Sequence, residues 1–148
     1  MKKILIACAF LVYTIYSFAD DYANAKDAEA LVANVIKAIS VDRMGTLKEI
    51  TDKEKKWIRL DLYPMVYDMR GICLAHGQNA KLVGKDLSDM EDADGKEFVK
   101  ERVALAASNK GFWQDYKFTD PVTKKVLPKT AYCERIHDDI VCAGIYKR

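Results

Sequence analysis

Cys73 and His76 stand three residues apart in the stretch Y-P-M-V-Y-D-M-R-G-I-C-L-A-H, Tyr63 to His76, a thiol and an imidazole of the types that make a nucleophile and its base. The stretch argues against that chemistry. Two short apolar runs, Met65 to Tyr67 and Ile72 to Ala75, flank Asp-Met-Arg-Gly, and Gly71 supplies positive φ for a tight loop, so a β-hairpin is expected. Strict alternation places Tyr63, Met65, Tyr67, Ile72, Leu74 and His76 on one face, a pocket floor, and Pro64, Val66, Cys73 and Ala75 on the other, a surface for a helix. Residues three apart on a strand face opposite ways, so the dyad fails. Zinc fares no better, because Cys73, His76 and His137 lack paired-cysteine spacing. Asp92, Asp94, Gly95 and Glu101 match the third, fifth, sixth and twelfth positions of a calcium loop. Met90, however, replaces the first ligand and Glu97 an apolar packing residue, leaving a turn before a helix. Nothing marks Asp115 or Asp120 as an acid and base pair. No catalytic residue, metal or cofactor is expected, and the chain reads as a non-enzyme.

The aromatic side chains remain: Tyr63, Tyr67, Phe112, Trp113, Tyr116, Phe118, Tyr132 and Tyr146, all in expected strands. Most of them suit a core. Buried tyrosine hydroxyls need partners, and a concave apolar wall with a few polar tips and one cation is how a small acidic ligand is held. Lys129, between Pro128 and Thr130 in a strand, is the unexplained cation. Cys133 and Cys142 flank the last hairpin, and a two-residue loop at His137-Asp138 places them directly opposite, close enough for a disulfide. Cys73 is then left over.

The elements that position these residues follow from periodicity. Ala28, Leu31, Val32, Val35, Ile36 and Ile39 form one helical stripe, with Asn24 as N-cap and Asp27 in the first turn. Met44, Leu47 and Ile50 mark a second helix, and Trp57 to Leu62 is expected to lead into the hairpin as a strand. A polar excursion from Gly77 to Gly95 precedes a helix over Lys96 to Ser108, with Phe98, Val99, Arg102, Val103 and Ala106 on or near one face. Strands are expected over Phe112–Phe118, Val126–Ile136 and Ile140–Tyr146, an antiparallel meander. The fold class is α+β, a long N-terminal helix packed on about five antiparallel strands.

The chain has 148 residues, 50% of them hydrophobic and 31% charged, a one-domain globular composition without repeats. Its start is different. Lys2 and Lys3 precede an apolar run from Ile4 to Tyr16, and Ser17-Phe18-Ala19 gives the small residues a signal peptidase reads, so residues 1–19 are expected to leave as a signal peptide. The single domain is then 20–148, periplasmic or secreted. Loss of Lys2 and Lys3 takes 24 basic residues to 22, level with the 22 acidic ones, and a neutral chain offers nucleic acid no basic stripe. Export also permits the disulfide.

The runs D-L-Y-P-M-V-Y-D-M-R-G-I-C-L-A-H from Asp61, L-V-G-K-D-L from Leu82, D-A-D-G-K-E-F from Asp92, Gly111 to Tyr116, D-P-V-T-K-K-V from Asp120, P-K-T-A-Y from Pro128 and C-A-G-I-Y from Cys142 resemble, in that order and spacing, the type-two single Cache modules of bacterial chemoreceptors and sensor kinases. The resemblance implies a PAS-like sheet and extracytoplasmic binding of a small molecule such as a short carboxylate. It implies a ligand set of Tyr67, His76, Trp113, Tyr116, Lys129 and Tyr132, with Lys129 as the carboxylate partner. Alternation splits that set: Lys129 and Tyr132 share a face only across a bulge near Pro128, and the same holds for Trp113 and Tyr116. Family receptors continue into a membrane span and an output region, whereas this sequence stops at Arg148. The expectation is a stand-alone module that presents its ligand to a membrane-bound sensor kinase or chemoreceptor, with an interaction module lacking any ligand as the alternative.

Overall fold

The computed structural model describes residues 22–148, so the signal peptide expected over residues 1–19 lies outside the described residues. Five strands form one antiparallel sheet in the order β2-β1-β5-β4-β3, where β1 is Pro64–Asp68, β2 Cys73–His76, β3 Gly111–Thr119, β4 Val126–Ile136 and β5 Asp139–Tyr146. The last three strands are the expected meander. The first hairpin joins it through β1, whose pairs run from Pro64↔Ala143 to Asp68↔Asp139.

One face of the sheet is covered by α1 (Ala25–Val41) and α2 (Arg43–Thr51). Asn24 starts α1 with a capping box: its side chain accepts from the amides of Lys26 and Asp27, and the Asp27 carboxylate accepts from the Asn24 amide at 3.0 Å. The stripe Ala28, Leu31, Val32, Val35 and Ile39 then buries itself against Val66, Ala75, Val141 and Ala143. Trp57 to Leu62 does not form the expected strand. Lys55–Trp57 is a 3₁₀ turn, and Arg59 and Leu62 exchange both backbone hydrogen bonds around Leu60, which lies at φ 56°. Buried Trp57, its indole donating to Glu49 at 3.1 Å, fixes the chain in that shape.

The second face is covered by α3 (Phe98–Ser108) and by the excursion before it. The excursion runs along the free edge of β2: the Cys73 amide donates to Lys85 O at 3.0 Å, and Gly84 donates back to Cys73 O at 2.8 Å. An otherwise open strand edge is thereby closed. Asp92 anchors the excursion to β3, accepting from the amides of Asp94, Lys96 and Lys117 at 2.9, 3.0 and 2.9 Å. That carboxylate is engaged in a turn, as the sequence reading of this segment requires.

The hairpin departs from strict alternation. Tyr67 pairs with Cys73 but Val66 pairs with Ala75, so Leu74 is an extra residue in a bulge. Cys73 therefore joins Met65 and Tyr67 on the α3 face, and Leu74 packs on the helical side, the reverse of the expectation for both. Cys73 and His76 end up on one face after all. Their chemistry still fails, because burial pushes the Cys73 thiol up to about 12 and a protonated thiol is no nucleophile.

Cys133 lies directly opposite Cys142, Cα atoms 4.1 Å apart, and the two form a disulfide within the core on the α3 face. Replacing both by alanine is expected to lower the unfolding free energy by about 2.7 kcal/mol, the chain-entropy value for so short a loop. Urea denaturation of the variant beside wild type measures it.

Candidate functional site

Unbroken pairing across the meander sets which side chains share the α3 face. Tyr116, Lys129 and Tyr146 form one row across β3, β4 and β5, and Gln114, Ala131 and Gly144 form the next. Facing these rows, α3 presents Phe98, Val99, Arg102 and Ala106, while β1 and the residue before it add Met65, Tyr67 and Tyr63.

Lys129 is 1% exposed. Its Nζ donates to Tyr63 Oη at 2.9 Å, the Tyr63 and Tyr146 hydroxyls are 2.9 Å apart, and Tyr146 donates to Thr119 O at 2.8 Å. With Tyr63 as donor to Tyr146, this is a one-way chain in which Lys129 uses a single N–H and keeps two. Burial pushes the Lys129 ammonium well below its ordinary pKa, the Arg102 charge adds to that, and only Asp61 and Asp120 pull the other way. Both of those carboxylates are already engaged by Arg148, at 2.8 and 2.7 Å. Room for the lysine comes from Gly144, where a Cβ would lie 2.5 Å from Lys129 Cε and 3.1 Å from Ala131 Cβ. Gly144→Ala is expected to cost about 1 to 3 kcal/mol. The cost should shrink by at least about 0.5 kcal/mol in a Lys129→Ala background, and a double-mutant cycle with strictly additive effects would contradict the contact.

Arg102 has no exposed surface. Gln114 fixes it: its Oε1 accepts from Arg102 Nε at 3.1 Å, while its amide nitrogen donates to Phe98 O and to Glu101. The guanidinium lies 4.8 Å from the Tyr67 ring and 5.2 Å from the Tyr116 ring. Among the described residues Nη1 and Nη2 are buried without a hydrogen bond of regular geometry, and the nearest acceptors are the Tyr67 and Tyr116 hydroxyls, close enough to favour the charged guanidinium. A guanidinium stays charged under protein conditions, so these are charged donors with no counter-charge in contact and only phenol hydroxyls nearby.

His76 closes the group. Its Nδ1 accepts from the amides of Gln78 and Asn79 at 3.2 and 3.0 Å, which leaves the ring proton on Nε2. Burial, then the charges of Lys129 and Arg102, push its pKa down to about 3, so the imidazole is neutral. Among described residues no three His, Cys, Asp or Glu side chains are grouped to hold a metal ion, and no helix is long and apolar enough to cross a membrane.

Of the six residues expected around a ligand, the structure brings together Tyr67, His76, Tyr116 and Lys129 on the α3 face. Trp113 and Tyr132 do not join them. Their rings pair with each other at 5.3 Å on the α1 face, and Trp113 is 38% exposed. The bulge near Pro128 that would turn them inward is absent, since β3 and β4 stay in register from Gly111↔Glu134 to Thr119↔Val126. Tyr63 and Tyr146 take their place, and Arg102 is the residue the expected set lacks. One signal for it was present: spacing from Phe98, Val99 and Ala106 puts Arg102 within the buried stripe of its helix.

The profile of the family described as Single Cache domain 2 matches residues 6–146, beginning inside the stretch read as a leader. No curated protein matches the chain. Solved structures that share its fold include the following three. A methyl-accepting chemotaxis protein from Vibrio parahaemolyticus is 22% identical with TM-score 0.69, covering 82% of this chain and 86% of its own. A Cache chemosensory domain described for carboxylic acid recognition is 23% identical with TM-score 0.72, covering 84% and 93%. A periplasmic sensor domain of a chemotaxis protein is 22% identical with TM-score 0.66, covering 83% and 90%. With a family match over nearly its whole length and the sheet and helices just described, the chain belongs to the single Cache domain 2 family.

Proposed function

We propose that this chain is an exported ligand-binding module that holds a small organic acid between α3 and the sheet, and that a membrane-bound sensor kinase or chemoreceptor reads its occupancy. The observation that carries the reading is the pair of terminal nitrogens on Arg102, buried without a counter-charge on the same face of the sheet as Lys129 and the Nε2–H of His76. The Arg102 terminal nitrogens, the Lys129 amine and the His76 Nε2–H are donors, with the Tyr67 and Tyr116 hydroxyls among them, and an acid supplies acceptors and negative charge together. The disulfide fits an oxidising, extracytoplasmic compartment. The solved relative described for carboxylic acid recognition has the same fold, which adds analogy but no contact.

A second reading, an interaction module with this fold and no small ligand, draws on the closure of the site. Arg102, Lys129 and His76 are all at most 1% exposed, with the layer filled by the protein's own rings. A core built only for packing would use apolar side chains here, because each unpaired buried donor costs about 1 to 3 kcal/mol. The organic acid is therefore the stronger reading. Thermal denaturation against a panel of short organic acids tests it. At least one acid is expected to raise the melting temperature of wild type by several degrees, as about 2.7 kcal/mol of linkage at a hundredfold excess over Kd requires. A wild type that no organic acid stabilises would sink the reading and leave the interaction module.

A further inference from the structure

Arg102 and Lys129 each occupy a separate aromatic cage. Arg102 Cζ lies 4.8 Å from the Tyr67 ring centre and 5.5 Å from that of Phe98, whereas Lys129 Nζ lies 4.3 Å from Tyr63 and 4.8 Å from Tyr146. Tyr116 stands between the cages, its ring centre 5.2 Å from Arg102 and 5.9 Å from Lys129. The anchors are offset too. Lys129 is in register with Tyr116 and Tyr146, while Gln114, which holds Arg102 Nε, belongs to the neighbouring row, about 7 Å along the strands.

Among the described residues neither basic group has a carboxylate of its own. Asp61 and Asp120, whose fields reach Lys129, are both taken by Arg148. Glu101, next to Arg102 in sequence, turns to Lys96 at 2.7 Å and to Gln114. Two buried basic groups without counter-charges are a costly arrangement, which is why the Lys129 pKa is held low; a monoanion compensates one of them, and a dianion supports the charge on both. Resting on the organic-acid reading of this site, we infer that its ligand is a short aliphatic dicarboxylate, with one carboxylate on Nη1 and Nη2 of Arg102, the other on Lys129 Nζ, and the methylene spacer against Tyr116. With Nε engaged by Gln114, the free edge of the guanidinium is its terminal pair, a bidentate match for a planar carboxylate. The two spare N–H groups of Lys129 serve the second carboxylate.

Calorimetry at neutral pH with malonate, succinate and glutarate, each beside its monoamide, tests the assignment. The monoamide keeps the shape of the diacid and removes one charge. At least one diacid is expected to bind about 100-fold more tightly than its monoamide, the scale of a lost partner to a buried charge. In Lys129→Met or Arg102→Met that ratio should fall close to one. The ratio is read on wild type, so the test does not depend on either variant folding. Equal affinity of diacid and monoamide, or a monocarboxylate such as propionate binding as tightly as any diacid, overturns the dicarboxylate and leaves the organic-acid reading in place. Failure of every diacid, monoamide and monocarboxylate to bind overturns both.

Discussion

Lys129→Met is expected to make the ligand-free protein more stable and at the same time unable to respond to organic acids. Among the described residues the Nζ of Lys129 has one hydrogen bond, to Tyr63, and no carboxylate in contact. Methionine keeps the length and apolar stem of the side chain, loses that bond at a cost of about 1 kcal/mol, and removes a desolvated charge. Even buried ion pairs can be exchanged for apolar side chains of similar volume with effects between neutral and a gain of about 4 kcal/mol, and Lys129 has no paired carboxylate among the described residues to lose. The net expectation is a melting temperature several degrees above wild type without ligand, and a weakening of acid binding by about 30-fold or more. Thermal denaturation with and without the acid that most stabilises wild type reads both. A variant less stable than wild type and still stabilised by the acid would show that the lysine is structural.

The second large effect concerns acid. His76 has a folded-state pKa of about 3 against an ordinary value of 6.5, because burial and the charges of Lys129 and Arg102 oppose the imidazolium. The unfolded chain therefore binds the extra proton first as pH falls. The stability His76 contributes is complete above 6.5, where both states are neutral, and drains away as pH drops toward about 3. At about 1.4 kcal/mol per unit, the loss from neutral pH to about pH 4.5 is roughly 2.7 kcal/mol. In His76→Asn the side-chain oxygen can accept the Gln78 and Asn79 amides as an Asx turn, so the local structure is kept while the titration is removed. Urea denaturation at the two pH values should show wild type losing that much relative to the variant. Parallel pH dependence in the two proteins would mean that His76 is not buried neutral.

Much of the fold was legible because short-range rules agreed with one another. The stripe of α1, its Asn24 cap, the meander and the Cys133–Cys142 register all follow from spacing, and all are present. The errors have one cause, a residue or a backbone angle that breaks the period. Leu74 enters a bulge that carries Cys73 to the opposite face, and Leu60 at positive φ turns an expected strand into a tight turn. Four of the six residues expected around a ligand do lie on one face, Tyr67, His76, Tyr116 and Lys129. Lys129 stood out as a cation in a strand, but Trp113 and Tyr132 required an irregularity that β3 and β4 do not have. Arg102 was hidden because its role depends on Gln114 of β3 meeting α3 across the layer, a contact between residues 12 apart that no periodicity encodes. Its position within an apolar stripe was the available sign.

The most direct measurement is a structure of the protein with the organic acid that raises its melting temperature most. The predicted result is a carboxylate within about 3 Å of Nη1 and Nη2 of Arg102, between α3 and the sheet, with Lys129 Nζ in reach of the same molecule. An acid bound anywhere else, or one that leaves the terminal nitrogens of Arg102 without a partner, would contradict the assignment of this layer as the binding site.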